Sequence, residues 1–176
     1  MLDEDNTASM YRNPAGWTIY RKRAWTALLN ACHYDYIDFS ITVGRESGTA
    51  ESSKQIRSWM KYLSEFMDSF DFIRSKLLPN FVTGAPEHVV WSALGEEGQD
   101  YVAYLADARE VTDPAAGNPI AGSVSFELPP GRFSVRLYSP VSGAYSPAIQ
   151  IHGGKSTTLD LAPFKQDLVI RATRVP

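Results

Sequence analysis

His33, Asp35 and Asp38 come nearest to a reaction by type and spacing, because two carboxylates beside an imidazole can share general acid and base work. Strand alternation, however, sets His33 and Asp35 on one face and Asp38 on the other. That favours hydrogen bonding to loose backbone groups at a strand end over a joint catalytic role. Ser40 lacks the G-x-S-x-G elbow of a serine hydrolase. His88 and His152 stand without an H-E-x-x-H partner, and Asp107, Glu110 and Asp113 lack the spacing of a calcium loop. GRESG and GKS are not phosphate-binding loops. Cys32 is the only cysteine, which excludes a disulfide within the chain and any cysteine-built zinc or iron-sulfur centre. No catalytic residue, metal or cofactor is assigned.

Binding is a better use of the chemistry on offer. Trp91, Tyr101, Tyr104, Tyr138 and Tyr145 are rings that could stack on a sugar or a fibrous protein. Trp91, amid Val89, Val90 and Leu94, is expected in a core, and Tyr145, beside a Ser-Gly turn, is the expected exposed ring. The 17 basic and 20 acidic residues give a net charge of −3, and the basic ones are dispersed apart from Arg21, Lys22 and Arg23. That triplet reads as the solvated face of a helix, so no nucleic-acid partner is expected. No apolar run approaches a membrane span, and the acidic first ten residues lack the pattern of a signal peptide. Compartment stays open.

The elements that must position these residues change period part-way along the chain. From residue 13 to about 78 the spacing is helical. Asn13 and Pro14 resemble a cap with proline in the first turn, and Trp17, Tyr20, Ala24, Trp25, Leu28 and Ala31 share one face. A second helix opens near Ser52, with Ile56, Trp59, Met60, Leu63, Phe66, Met67 and Phe70 opposite Lys54, Arg57, Lys61 and Glu65. Residues 34–43 between them favour a strand. One strand and two helices cannot bury such faces alone, and three of the four tryptophans lie here, so a core or an interface must cover them.

After residue 78 the period is two. Strands are expected at about 88–93, 100–106, 122–128, 132–138, 147–152, 156–161 and 167–173, separated by Gly, Pro, Asp and Asn. In the run LPPGRFSVRLYSPVSGAY, residues 128–145, Phe133, Val135 and Leu137 alternate with Arg132, Ser134 and Arg136. A Ser-Pro and a Ser-Gly turn follow, and Gly153 and Gly154 read as a tight hairpin. The fold class is α+β: a helix-strand-helix segment over 1–78, then an all-β antiparallel sandwich over 79–176, immunoglobulin-like or jelly-roll-like.

The runs RAWTALLNACHYDYIDFSITVGRESGT and QIRSWMKYLSEFMDSFDFIRSKLLPN resemble the last elements of a (β/α)8 barrel in apiosidase-like glycoside hydrolases. The stretches YVAYLAD, SFELPPGRFSVRLYSPVSGAY and GGKSTTLDLAP resemble the family named as the collagen-binding domain of a collagenase, which commonly follows such barrels. The resemblance implies the tail of a larger architecture, usually secreted, whose sandwich braces a barrel or holds a polymer, carbohydrate or collagen-like. It also implies that Glu46, just past the barrel strand, lines a cleft. The binding candidates are then Tyr138, Tyr145, Trp91 and Glu46. Partners would be a polysaccharide or collagen-like polymer, and a barrel or a second copy covering the helical half. Polymer binding predicts an exposed aromatic row or groove on one sheet face. The alternatives are a glycosidase active site completed by sequence outside this chain, and a stand-alone interaction protein.

Overall fold

The computed structural model describes residues 2–5, 14–36, 50–109 and 112–176. The N-terminal part runs β1 (Leu2–Asp5), α1 (Pro14–Leu29), β2 (His33–Tyr36) and α2 (Ala50–Asp68). β1 and β2 pair in parallel, Leu2 with His33 through Asp5 with Tyr36, so the unit is β-α-β-α and not helix-strand-helix. An LDED tetrad carries none of the β-branched or aromatic residues that announce a strand, which is why the sequence pattern passes over β1. The remainder of the expected strand, with Asp38 and Ser40, and Glu46 beyond it, lie outside the described residues.

The helices end and bury themselves for local reasons. Beyond Leu29, Ala31 adopts a left-handed φ of 56°. The Ala31 amide donates to Leu28 O and the Cys32 amide to Ala27 O, a Schellman closure made without glycine. Along α2 the buried residues Ser52, Ile56, Trp59, Leu63 and Phe66 recur at three- and four-residue steps, as the sequence stripe requires.

All seven strands expected in the second half are present. They are β5 (Val89–Glu96), β6 (Asp100–Asp107), β7 (Ile120–Glu127), β8 (Arg132–Ser139), β10 (Ile149–His152), β11 (Ser156–Phe164) and β12 (Asp167–Val175). Three short ones, β3 (Lys76–Leu77), β4 (Val82–Gly84) and β9 (Ala144–Tyr145), join them. One sheet has the order β10-β8-β12-β6-β5-β3 with β9 also on β8, and the other the order β11-β7-β4. Every pairing in both is antiparallel. A hydrophobic cluster including Phe81, Leu105, Val124, Phe126, Phe133, Leu161 and Ile170 lies between them.

The turn at Pro129, Pro130 and Gly131 is not part of a hairpin. β7 belongs to the small sheet and β8 to the large one, so the chain changes sheets there. Gly153 and Gly154 likewise carry it back from β10 to β11, which corrects the hairpin expected at that pair. The two crossings touch: the Gly153 amide donates to Gly131 O and the Gly154 amide to Leu128 O, both at 2.8 Å. β7–β8 and β10–β11 therefore form one bent ribbon whose register differs by one residue across the corner. A Cβ on Gly153 would stand 2.1 Å from Pro129 O, so the corner closes only on glycine.

The α-helices lie on the outer face of the large sheet. On β6, Tyr101, Ala103 and Leu105 face the inter-sheet cluster. Val102, Tyr104 and Ala106 face a second cluster built with Trp25, Leu29, Leu63, Phe66 and Phe70 of the helical part. That continuous apolar contact joins residues on both sides of residue 78, where the sequence period changes.

Candidate functional site

The seam between helices and sheet holds an unexpected charge. Arg21, assigned by its sequence to a solvated face with Lys22 and Arg23, is buried. Its Nε donates to Asp167 Oδ2 at 2.7 Å and its Nη2 to Asp167 Oδ1 at 2.8 Å, with side-chain exposures of 1% and 0%. Tyr104 Oη donates to Asp167 Oδ2 at 3.1 Å, and the guanidinium sits 4.2 Å from the centre of the Trp59 ring. Burial, then the Asp167 carboxylate, push the Tyr104 phenol well above its ordinary pKa, with Arg21 opposing. Lys22 is half-buried and donates to Asp107 O, and only Arg23 of the triplet is exposed. Among the described residues, Arg21 Nη1, Trp25 Nε1 and Trp59 Nε1 are buried without a hydrogen-bond partner. A bidentate pair in a dry seam fixes orientation more than it adds stability, because desolvation offsets most of the attraction.

The structure brings two of the predicted binding residues, Tyr138 and Tyr145, together as cross-strand partners, and sets Trp91 against a different cluster. Tyr138 is 3% exposed beneath α2, its hydroxyl donates to Tyr62 O at 2.9 Å, and burial foremost raises its pKa to about 12. Tyr145 is half-buried, with ring centroids 4.8 Å from Tyr138 and 6.3 Å from Phe66, and the Arg136 guanidinium 4.7 Å over its ring. Trp91 is half-buried against the inter-sheet cluster, as expected of a core ring. Glu46 lies outside the described residues. No phenylalanine, tyrosine or tryptophan is exposed among the described residues whose side chains are placed, so no aromatic row lines either sheet face. The outer face of the small sheet is polar instead, with Ser125 and Thr158 hydroxyls 2.9 Å apart.

Of the acidic loop, Asp107 is bound within the fold, and Glu110 lies outside the described residues. Arg109 donates Nε to Asp107 Oδ1 at 2.7 Å and Nη2 to Oδ2 at 2.9 Å, and the Gly117 amide adds a bond at 3.2 Å. Burial would raise the Asp107 pKa, but these bonds hold it below the usual carboxylate range. Among the described residues no group of three His, Cys, Asp or Glu side chains could hold a metal.

His33 and Asp35 are exposed, and the parallel register sets Asp35 beside Glu4 and Tyr36 beside Asp5. The C-terminal end of the pair thus collects acidic positions from two strands. Sequence reasoning missed the β1 contribution together with β1 itself.

No family model matches this chain, and no curated protein does. Solved structures do match. A glycoside hydrolase family 5 protein from Bacteroides vulgatus aligns over 90% of this chain and 36% of its own, at 15% identity and a TM-score of 0.64. The fold is shared with glycoside hydrolases. A second structure named as a glycoside hydrolase gives 13% identity and a TM-score of 0.63 over the same shares. A family 30 endoxylanase from Clostridium papyrosolvens gives 17% identity and a TM-score of 0.53 over 98% of this chain and 41% of its own. The chain thus spans well under half the length of these glycoside hydrolase structures.

Proposed function

We propose that this chain is the accessory portion of a glycoside-hydrolase-like protein, in which a β-sandwich of the collagen-binding family type braces the wall of a (β/α)8 barrel. The carrying observation is the seam: a β-α-β-α unit with parallel strands is fastened to an antiparallel sheet by a shared apolar cluster and the Arg21–Asp167 pair. Parallel strands joined through a helix are the repeating unit of such barrels. Coverage of only 36% of the family 5 neighbour supports a larger whole. The helical tryptophans Trp17, Trp25 and Trp59 are buried within the chain, which supports bracing over cover by a second copy.

One observation favours a second reading, participation in the active site. Catalytic groups of barrel enzymes come from the C-terminal ends of strands, and here Glu4, Asp5 and Asp35 are brought to one such end by register. Glycoside hydrolysis needs two carboxyl groups across the bond, so these positions would supply one of them at most alongside others.

The test is activity on aryl glycosides, measured for the 176-residue chain and for a version extended on its N-terminal side by the reading frame that precedes it. Bracing predicts no turnover by the chain alone, turnover by the extended protein, and faster thermal inactivation in its Asp167→Ala variant at unchanged initial kcat/KM. Turnover by the chain alone, or inactivation indifferent to Asp167→Ala, would overturn it. Loss of turnover in Glu4→Gln or Asp5→Asn with unchanged inactivation would select the active-site reading.

A further inference from the structure

The outer face of the large sheet carries a small pocket where α2 stops. Ser134 and Arg136 on β8 lie directly opposite Thr173 and Arg171 on β12, and with Ser69 and Tyr145 they enclose about 190 Å³. Two guanidinium groups opposed across a strand pair repel unless anions separate them. One anion is built in. Arg171 donates Nε and Nη2 to the Asp100 carboxylate, at 2.7 Å for the shortest bond, Nη2 also to Ser69 O, and Nη1 to Ser69 Oγ and Tyr145 Oη. Its whole fork is committed.

Arg136 is different. Its Nε is held by Ser146 O at 3.1 Å and its Cζ lies over the Tyr145 ring, yet neither Nη atom has a partner among the described residues. Tyr145 therefore is not a stacking platform. One part of its surface aims Arg136 and the rest packs on Phe66 and Tyr138. An arginine fork fixed in this way loses little freedom when it accepts a planar or trigonal anion. Among the described residues Arg171 is ion-paired to Asp100, whereas Arg136 makes no ion pair. The Ser134 hydroxyl beside it, and that of Thr173, which donates to Asp100 Oδ1 at 3.3 Å and can still accept, suit the hydroxyls of a sugar ring.

The geometry points to Arg136 as the anchor of a subsite for one acidic sugar unit, gripping its carboxylate or sulfate through both Nη atoms while Tyr145 positions the fork. This role goes beyond bracing and does not depend on it. A glycan is favoured over an acidic peptide because the cavity admits one small unit and its remaining walls offer hydroxyls.

Calorimetric titration of the full 176-residue chain separates the cases, with hexagalacturonate, a sulfated hexasaccharide, neutral xylohexaose, an acidic hexapeptide and inorganic sulfate as probes. The expected result is binding of one acidic hexasaccharide, weakened about tenfold or more in Arg136→Gln by loss of a charge-assisted fork and less in Arg136→Lys. Whichever acidic hexasaccharide binds identifies the anion. An unchanged melting temperature shows that Arg136→Gln folds; if it does not, Arg136→Lys carries the comparison. Neutral and acidic sugars binding alike, acidic sugar binding that survives Arg136→Gln, peptide or sulfate binding without sugar binding, and no binding of any probe each overturn the assignment.

Discussion

Replacing Asp167 by alanine removes one half of the pair that ties α1 to β12. Arg21 would then lie with 1% of its side chain exposed, having lost two hydrogen bonds of 2.7 and 2.8 Å, and Tyr104 would lose its acceptor. Leaving one member of a buried ion pair uncompensated costs about 3–5 kcal/mol. That is about a fifth or more of the roughly 5–15 kcal/mol that holds a typical domain folded. For a chain of this length each kcal/mol moves the melting temperature by about 2–4 °C, so a fall of roughly 6–20 °C is expected. Urea unfolding followed by tryptophan fluorescence reports on the same place, because Trp25 stacks on Tyr104 with centroids 5.6 Å apart. The double variant Arg21→Met/Asp167→Leu removes both charges and should recover most of the loss, since desolvation offsets what the pair gains. A single-variant loss below about 1 kcal/mol, or a double variant no more stable than the single, would refute the account of the seam as a dry, charge-paired contact.

Two further perturbations probe the corner and the covered face. Gly153→Ala places a Cβ against Pro129 O, which cannot retreat as a side-chain tip could, and should destabilise by about 1–3 kcal/mol; urea unfolding beside Gly154→Ala, where the nearest atoms stand at 3.4 Å or more but φ is 95°, sets a steric clash against left-handed backbone strain. Tyr138 is protonated more readily in the folded state than in the unfolded one. Its contribution is therefore present below about pH 10 and is lost as pH rises through about 12. Alkaline unfolding followed by circular dichroism should be less steep in Tyr138→Phe across that window, with the Tyr104 phenol adding a slope of the same sign in both proteins.

The strands were legible because each needs only local alternation: Phe133, Val135 and Leu137 turn inward by the same period in sequence and in structure. Which sheet a strand joins is not local. Pro129 to Gly131 breaks a strand under either topology, and only the contact with Gly153, 22 residues beyond Gly131, makes it a crossing. Arg21 failed for the same reason at longer range. Three consecutive basic residues carry no mark that one will meet Asp167, 146 residues away. β1 was missed because its acidic side chains argue against a strand, while its parallel partner argues for one. Of the binding candidates, the exposure expected of Tyr145 depended on its turn, whereas the cover over Tyr138 comes from α2, placed by packing that no spacing encodes.

β12 follows every other strand in the chain, yet it sits in the middle of the large sheet, between β8 and β6. Until it forms, that sheet exists as two separate pieces: β5–β6 with β3, and β8 with β9 and β10. The bent ribbon can assemble from neighbours in sequence, but joining the halves requires contacts between residues about 70 apart, such as Thr173 with Asp100. Such closures are slow, because loop entropy is lost before any contact is gained. β12 also carries Asp167, so the event that completes the sheet is the one that supplies Arg21 with its counter-charge. Docking of the α-helices and closure of the sheet are thereby coupled through one residue, and a chain in which β12 had not paired would leave the edge of β6 open to other copies.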